Sequence, residues 1–340
     1  MKRGIMRIGA VLVLGLAAIF FIFFGELKKE SSLEQAVIIT IPPGAGVGEI
    51  ADQLEQAGII SSPLTFKTYA LLSGSYRHFP SGRFQFEPGM TIQKAVQLLA
   101  SGTGRQEVEV RLLEGWTIQQ MDVYLSSEIG LFATGEFAQA AQVTDSRTIL
   151  SDQTFEFLKS KPIQATLDGF LFPDTYRLFI DSEPKDLVKK MLDNFEIKVP
   201  AELRQKFQAQ GLNVFEAVTL ASILEREVQT AEDKKIVAGI LYDRLRIGMA
   251  LQVDSTVAYA QDKSGTELTS QDLQTDSPYN TYTRAGLPVG PVSNPGLDSL
   301  RAVGNPTVTD YLYFITDPAG AVYYSITYEE HLSKKKLLYP

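Results

Sequence analysis

The chain has 340 residues, 44% of them apolar and 21% charged, which suits two or three globular domains and excludes wholesale disorder or a polytopic membrane protein. Its formal charge of −8, from 32 Lys plus Arg against 40 Asp plus Glu, is a poor match for nucleic acid, whose affinity comes largely from neutralised phosphates. Cysteine is absent and the only histidines are His78 and His331, which excludes disulfides, a thiolate site and a His-rich zinc or iron centre.

Residues 8–25, IGAVLVLGLAAIFFIFFG, carry no charge. As a helix they span ~27 Å, close to the ~30 Å hydrocarbon core of a bilayer. Lys2, Arg3 and Arg7 precede the run or lie at its edge, and Glu26, Lys28, Lys29 and Glu30 follow it. The positive-inside rule then puts residues 1–7 in the cytoplasm and the rest outside the plasma membrane. The run ends in Phe20, Phe21, Phe23 and Phe24 without a small-residue cleavage site, so an uncleaved single-span anchor is expected. Residues 26–36 are charged and polar and read as a tether.

Three units follow that each read strand, glycine turn, amphipathic helix. Ile38, Ile39 and Ile41 precede Gly44 and a helix from Val47; Phe84 and Phe86 precede Gly89 and a helix from Thr91. Val108, Val110 and Leu112 precede Gly115 and a helix from Thr117. Alternation marks the strands, and Ile92, Ala95, Val96 and Leu99 mark one helix face. Glycines at 44, 89 and 115 are unevenly spaced, which argues against a regular solenoid. The module over 37–128 resembles the small strand–helix modules of LysM type that bind cell-wall glycans, and a ligand-free spacer remains its alternative. Trp116, the only tryptophan, suits either a sugar-stacking platform or a core plug.

Residues 129–340 have the size of a catalytic domain. The stretch 130–165 reads as helix with polar breaks, and Leu167-Asp-Gly-Phe-Leu-Phe-Pro-Asp-Thr-Tyr176 as a turn with a short extended piece. Helices are expected over 184–209, 213–228 and 231–247. After Gly248 the chain reads as loop and strand, with a hairpin over 311–316 and 321–325. This order of elements predicts an α+β fold.

In Val214-Phe-Glu-Ala-Val-Thr-Leu-Ala-Ser-Ile-Leu-Glu-Arg-Glu-Val228 the helical wheel sets Glu225 among Val214, Val218, Ala221 and Val228, and Glu227 beside Glu216. A carboxyl in apolar company resists ionisation, so Glu225 is expected to hold a proton as a general acid does. The structural alternative is a glutamate paired with Arg244 or Arg246 of the next helix. Beyond that helix come Leu251-Gln-Val-Asp-Ser-Thr256, Ser277-Pro-Tyr-Asn-Thr-Tyr282, Gly286-Leu-Pro-Val-Gly-Pro291 and Asn294-Pro-Gly296. Polar and aromatic side chains on Pro/Gly loops suit sugar recognition, or an ordinary ordered loop.

With the segments at 167–176, 220–227 and 242–257, these motifs make the chain resemble the YceG-like family of endolytic murein transglycosylases over nearly its whole length. The resemblance implies cleavage of peptidoglycan glycan strands to 1,6-anhydro ends without a cofactor, at the outer face of the plasma membrane and beside peptidoglycan synthases. It also implies a catalytic role for Glu225, the first acid of Ala-Ser-Ile-Leu-Glu-Arg-Glu. By motif and side-chain type, Gln252, Asp254, Tyr279, Asn280 and Tyr282 are expected to contact substrate; Asp254 is alternatively the second carboxylate of a hydrolase. The role of His331 is open. The chain departs from the family pattern at Asp168, Ser255 and Val289, where Glu, Pro and Pro are usual, and the shorter Asp168 puts a substrate contact there in question.

Overall fold

The computed structural model describes residues 2–142, 154–263 and 267–339, with side chains from residue 14 onward. The fold is mixed α+β, mostly helical, with small two-stranded sheets. It forms two compact units, one of residues 1–108 with 177–181 and one of 109–176 with 182–340.

In the first unit, helix α1 (Lys2–Lys28) leads to strand β1 (Val37–Ile41). Helices α2 (Val47–Gln56) and α3 (Pro63–Leu72), strand β2 (Gly82–Phe86) and helix α4 (Ile92–Ser101) follow. β1 and β2 pair antiparallel, with Val37 opposite Phe86 and Ile41 opposite Gly82. One face of this ribbon and the apolar stripes of the helices enclose Ile41, Ile50, Leu54, Phe66, Phe84 and Leu99. Apolar periodicity does not predict α3, although Ser62 caps it through the Thr65 amide and Pro63 fixes its first turn. Its weakly amphipathic run Leu64-Thr-Phe-Lys-Thr-Tyr-Ala gave no clear period.

The first third of the anchor expected over 8–25, residues 8–13, lies outside the residues with described side chains. Among the described residues no helix is long and apolar enough to cross a membrane. From residue 14 on, α1 exposes Leu14, Leu16, Ile19, Phe20, Phe21, Ile22 and Phe24. Its last turns differ: Leu27 is buried in the core of the unit, and Phe23 packs against it. The stretch read as a tether is hydrogen-bonded from its start, with Ser31 N donating to Met90 O at 2.7 Å and Ser32 N to Gly58 O at 3.3 Å.

The boundary between units falls within strands β3 (Glu107–Arg111) and β4 (Thr175–Phe179), which pair with one another. The second unit contains helices α5 (Ile118–Val123) and α6 (Glu136–Ala141), then α7 (Pro184–Lys198) and α8 (Ala201–Ala209). The stretch 143–153, within the expected helical segment 130–165, lies outside the described residues. Next come α9 (Val214–Glu227) and α10 (Ala231–Arg246). Asn213 and Glu216 form a capping box at the start of α9, and every residue from Ala217 to Leu224 is buried. α9 is therefore the central helix of the unit.

The expectation of loop and strand after Gly248 is corrected. Helices α11 (Asp254–Gln261), α12 (Leu297–Gly304) and α13 (Tyr328–Leu338) occupy this region, besides the hairpin β5 (Tyr313–Thr316) and β6 (Val322–Ser325). α12 is short and bracketed by Gly296 and Gly304, yet it buries Leu300, Ala302 and Val303 against α9 and α10. α13 buries no residue, so it has no apolar period to read.

Candidate active site

Glu225 lies in the last turn of α9, and its surroundings are polar. Its Oε1 accepts from Lys234 Nζ at 2.9 Å; its Oε2 accepts from Gly296 N at 2.9 Å and Ser299 Oγ at 2.6 Å. The side chains of Glu225 and Lys234 are 9% and 4% exposed. The apolar company expected from the helical wheel is corrected: a wheel shows one helix, and these donors come from α10 and from the 296–299 turn. The cation is also another one. Arg244 donates to the carbonyls of Leu251 at 2.6 Å and Leu312 at 2.7 Å, and Arg246 pairs with Asp243.

Glu114 stands beside this group. A Cβ placed on Gly296 would lie 2.0 Å from Glu114 Oε1, so the carboxylate occupies the space that a side chain at 296 would fill. Glu114 and Glu225 thus flank the same glycine. Burial pushes the Glu114 carboxyl above its ordinary range, and the charges of Glu225 and Asp298 add to this against the opposing pull of Lys234.

Glu227, expected on a charged face, is partly buried instead and accepts from Ser255 Oγ at 2.7 Å. Burial raises its carboxyl, and the charge of Asp254 adds, against the Ser255 hydrogen bonds and Arg226.

A cleft of about 860 Å³ opens in this unit, lined among others by Trp116, Tyr124, Asp168, Arg226, Ser255 and Tyr259. That volume is ample for sugar rings. Trp116 and Tyr124 have ring centroids 5.2 Å apart, and Tyr259 and Tyr279 4.9 Å apart. Trp116 is half-buried against the cleft and is no core plug. Arg226 forms part of the wall and donates to Gly115 O at 3.2 Å. Glu225, one residue earlier, turns from the wall toward α10 and α12.

The buried Asp168 accepts from Ile118 N at 2.9 Å, Tyr259 Oη at 2.8 Å and Thr166 Oγ1 at 3.3 Å. Burial raises its carboxyl in spite of these donors. The short side chain thus ties the start of α5 to Tyr259 at the cleft.

The other residues singled out in the sequence fall in two groups. Asp254 accepts from Tyr282 Oη beside Glu227 and Ser255, and Gln252 is exposed with a left-handed φ of +50°. Tyr279 faces Tyr259. Asn280 is buried, and its amide serves its own loop: Nδ2 donates to Leu273 O and Thr275 O, and Oδ1 accepts from Tyr282 N. His331 stacks on Tyr313 with centroids 5.5 Å apart; burial and the charges of Lys335, Arg244 and Lys334 lower its imidazole.

Two further residues build the site without a sequence pattern that marks them for it. Asn294, fully buried, accepts from Gly169 N at 2.8 Å and Leu171 N at 3.1 Å through Oδ1, and donates to Trp116 O at 3.0 Å through Nδ2. It binds the 167–171 turn to the Trp116 segment. Ser222 on α9 accepts from Val292 N at 3.0 Å and fixes the loop that carries Gly296. Asn-Pro-Gly and Ala-Ser-Ile were visible as motifs, but neither showed which backbone groups it holds.

The family model described as YceG-like matches residues 39–337. A Bacillus subtilis protein named endolytic murein transglycosylase is 30% identical over 315 residues, 90% of this chain and 86% of that relative. A Streptococcus pneumoniae protein of the same name is 32% identical over 327 residues; that alignment takes in 90% of this chain and 59% of the longer relative. A crystal structure of a yceG-like protein from Listeria monocytogenes superposes with a TM-score of 0.60 at 28% identity, covering 89% of this chain and all of that one.

Proposed function

The chain belongs to the YceG-like family, and on that footing we propose that it is a peptidoglycan lytic transglycosylase that cleaves glycan strands internally. The observation that carries this reading is the 90% of the chain aligned with relatives named endolytic murein transglycosylase. The cleft walled by Trp116, Tyr124 and Tyr259 supports it chemically, and Arg226 in its wall is the sequence neighbour of Glu225.

The bond assigned is the β-1,4 link between N-acetylmuramic acid and N-acetylglucosamine. Glu225 delivers a proton to the leaving oxygen as positive charge develops on the muramyl ring. Its carboxylate then takes the proton of the muramyl C6 hydroxyl, which attacks C1 and closes a 1,6-anhydro ring. Atoms and protons balance without water. Lys234 and the Gly296 amide accommodate the carboxylate form, and the Ser299 hydroxyl can turn to accept from the acid form. Such proton transfer supplies roughly 10²–10⁴ in rate. Intramolecular attack adds the advantage of a tethered nucleophile. Of the motif residues, Gln252, Asp254, Tyr279 and Tyr282 are assigned to the substrate, and Asn280 to holding the loop that carries the two tyrosines.

The test is incubation of the full chain with purified glycan strands, with mass spectrometry of the ends and melting temperatures recorded for native protein and Glu225→Gln. Anhydro ends from the native protein and none from a folded Glu225→Gln are expected. Reducing ends, heavier by one water, would make the protein a hydrolase; no cleavage would leave it a wall-binding scaffold.

We assign residues 8–25 to a plasma-membrane anchor, supported by the exposed apolar side chains of α1. The domain of residues 129–340 is then extracytoplasmic. Retention in membranes washed at high pH, with protease access only from outside, tests this. The module at 37–128 we read as LysM-like. Binding of Glu225→Gln to insoluble peptidoglycan that survives a folded Tyr259→Ala, a cleft change outside that module, supports a second grip there, and loss of all binding removes it.

A further inference from the structure

The arrangement around Gly296 contains more acid than one proton transfer needs. Glu225 has a counter-ion in Lys234 at 2.9 Å, and both side chains are buried. Glu114 fills the space a side chain on Gly296 would take, the same glycine whose amide binds Glu225, and a Cβ on the adjoining Gly115 would lie 3.6 Å from Glu225 Cγ. The charged groups that act on Glu114 are Glu225 from α9, Lys234 from α10 and Asp298 from α12. Arg226, the next cation on α9, is turned to the Gly115 carbonyl. One ammonium therefore faces two adjoining carboxylates with a third nearby. The ammonium compensates one of them, and the excess negative charge around Gly296 favours the protonated form of Glu114.

The two glutamates differ in access. Glu225 is almost closed off, whereas Glu114 is only partly desolvated and keeps contact with solvent. Glu114 can therefore exchange protons with water, while Glu225 is fixed by three donors. The exchange is helped by the bareness of Gly296: any side chain there would displace the Glu114 carboxylate. Glu114 sits on the segment Leu113-Glu-Gly-Trp116, which also carries the aromatic wall of the cleft and is held by Asn294 on both sides of Gly115.

We propose that Glu114 is the proton reservoir of the Glu225 site, holding the proton that Glu225 passes to the leaving oxygen and taking one back after the C6 hydroxyl has attacked. The inference rests on the transglycosylase reading. In this role Glu114 is a positioning residue that acts through Glu225. The proton leaves the Glu114 carboxyl as the Glu225 carboxylate accepts it, and the reverse transfer closes the cycle with no other reactant.

The experiment compares the full-length native chain with Glu114→Gln, Glu114→Asp, Gly296→Ala and Glu225→Gln on purified glycan strands, measuring kcat and KM from anhydro-end release between pH 4.5 and 8.5. Glu114→Gln is expected to lower kcat ~100-fold with KM within twofold, a loss typical of removing one proton-transfer group. Its alkaline limb should move to lower pH, because the group that retains the proton is gone. Glu114→Asp should recover part of kcat. Gly296→Ala, which displaces the carboxylate without deleting it, should reproduce the loss with a native-like melting curve. Glu114→Gln and Gly296→Ala both folded and both within twofold of native kcat, or an unshifted alkaline limb in Glu114→Gln, would overturn the inference. If the native chain releases no anhydro ends, the functional reading itself fails; if it does and only Glu225→Gln is inactive, the reservoir alone fails.

Discussion

Glu225 and Lys234 join the end of α9 to the first turns of α10 by a buried ion pair of 2.9 Å. An ion pair so placed adds little net stability, because both charges lose their hydration. Deleting one partner is a different matter. Lys234→Met leaves a buried carboxylate without its counter-ion, and a loss of about 3–5 kcal/mol is expected. The double variant Lys234→Met/Glu225→Leu should regain much of that loss. Denaturant midpoints of the two variants check both statements, and equal losses in the single and double variants would count against the pair.

Glu227 gives the chain a pH signature. Burial raises its folded-state pKa above the ordinary 4.5, so the native state binds this proton more tightly than the unfolded chain does. The stabilisation is complete below pH 4.5 and is lost as pH rises through the folded-state value. Asp168, also raised by burial, acts in the same direction. Glu227→Gln keeps an acceptor for Ser255 but cannot ionise. Its stability relative to native protein should therefore rise between pH 4.5 and pH 8, as read from urea midpoints across that range.

Gly169 makes the turn beside Asp168 possible. Its φ is +87°, and a Cβ there would lie 2.6 Å from Val218 Cγ1 and 2.7 Å from the Pro291 ring. Gly169→Ala thus combines backbone strain with overpacking, at about 3 kcal/mol in total. The same change loosens the Asn294 contacts to Gly169 N and Leu171 N, so kcat should fall together with the melting temperature.

Trp116→Ala removes one aromatic wall of the cleft. Stacking worth about 1.4 kcal/mol corresponds to a tenfold rise in KM for glycan strands. Glu225 and its donors stay in place, so kcat should be nearly unchanged. A kcat effect without a KM effect would assign Trp116 to positioning the Glu114 segment.

Regular periods made much of the fold readable. β1, β2 and α4 follow from alternation and from Ile92, Ala95, Val96 and Leu99, and α9 and α10 from their apolar runs and caps. Elements without a period were not readable: α12 is an eight-residue helix set by tertiary burial, and α13 has no buried face. The site divides likewise. Glu225 stands out by motif and position in a helix, but its partners Lys234, Gly296 and Ser299 lie 9, 71 and 74 residues away. No single-helix pattern contains them, which is why a protonated acid in apolar company was expected and a hydrogen-bonded ion pair was found.

The junction at the end of α1 has a mechanical consequence. The helix runs unbroken to Lys28 while Leu27 is already part of a folded core, and Ser31 and Ser32 are then stitched to the same body. If the apolar portion is seated in a bilayer, no slack leash separates lipid from the first unit. Seated so, that unit would ride at a fixed height, within about one helical turn of the headgroups, and a pull on the anchor would reach its core directly. Lengthening this junction with a few glycines and serines would change the depth of wall swept while leaving the chemistry of Glu225 untouched.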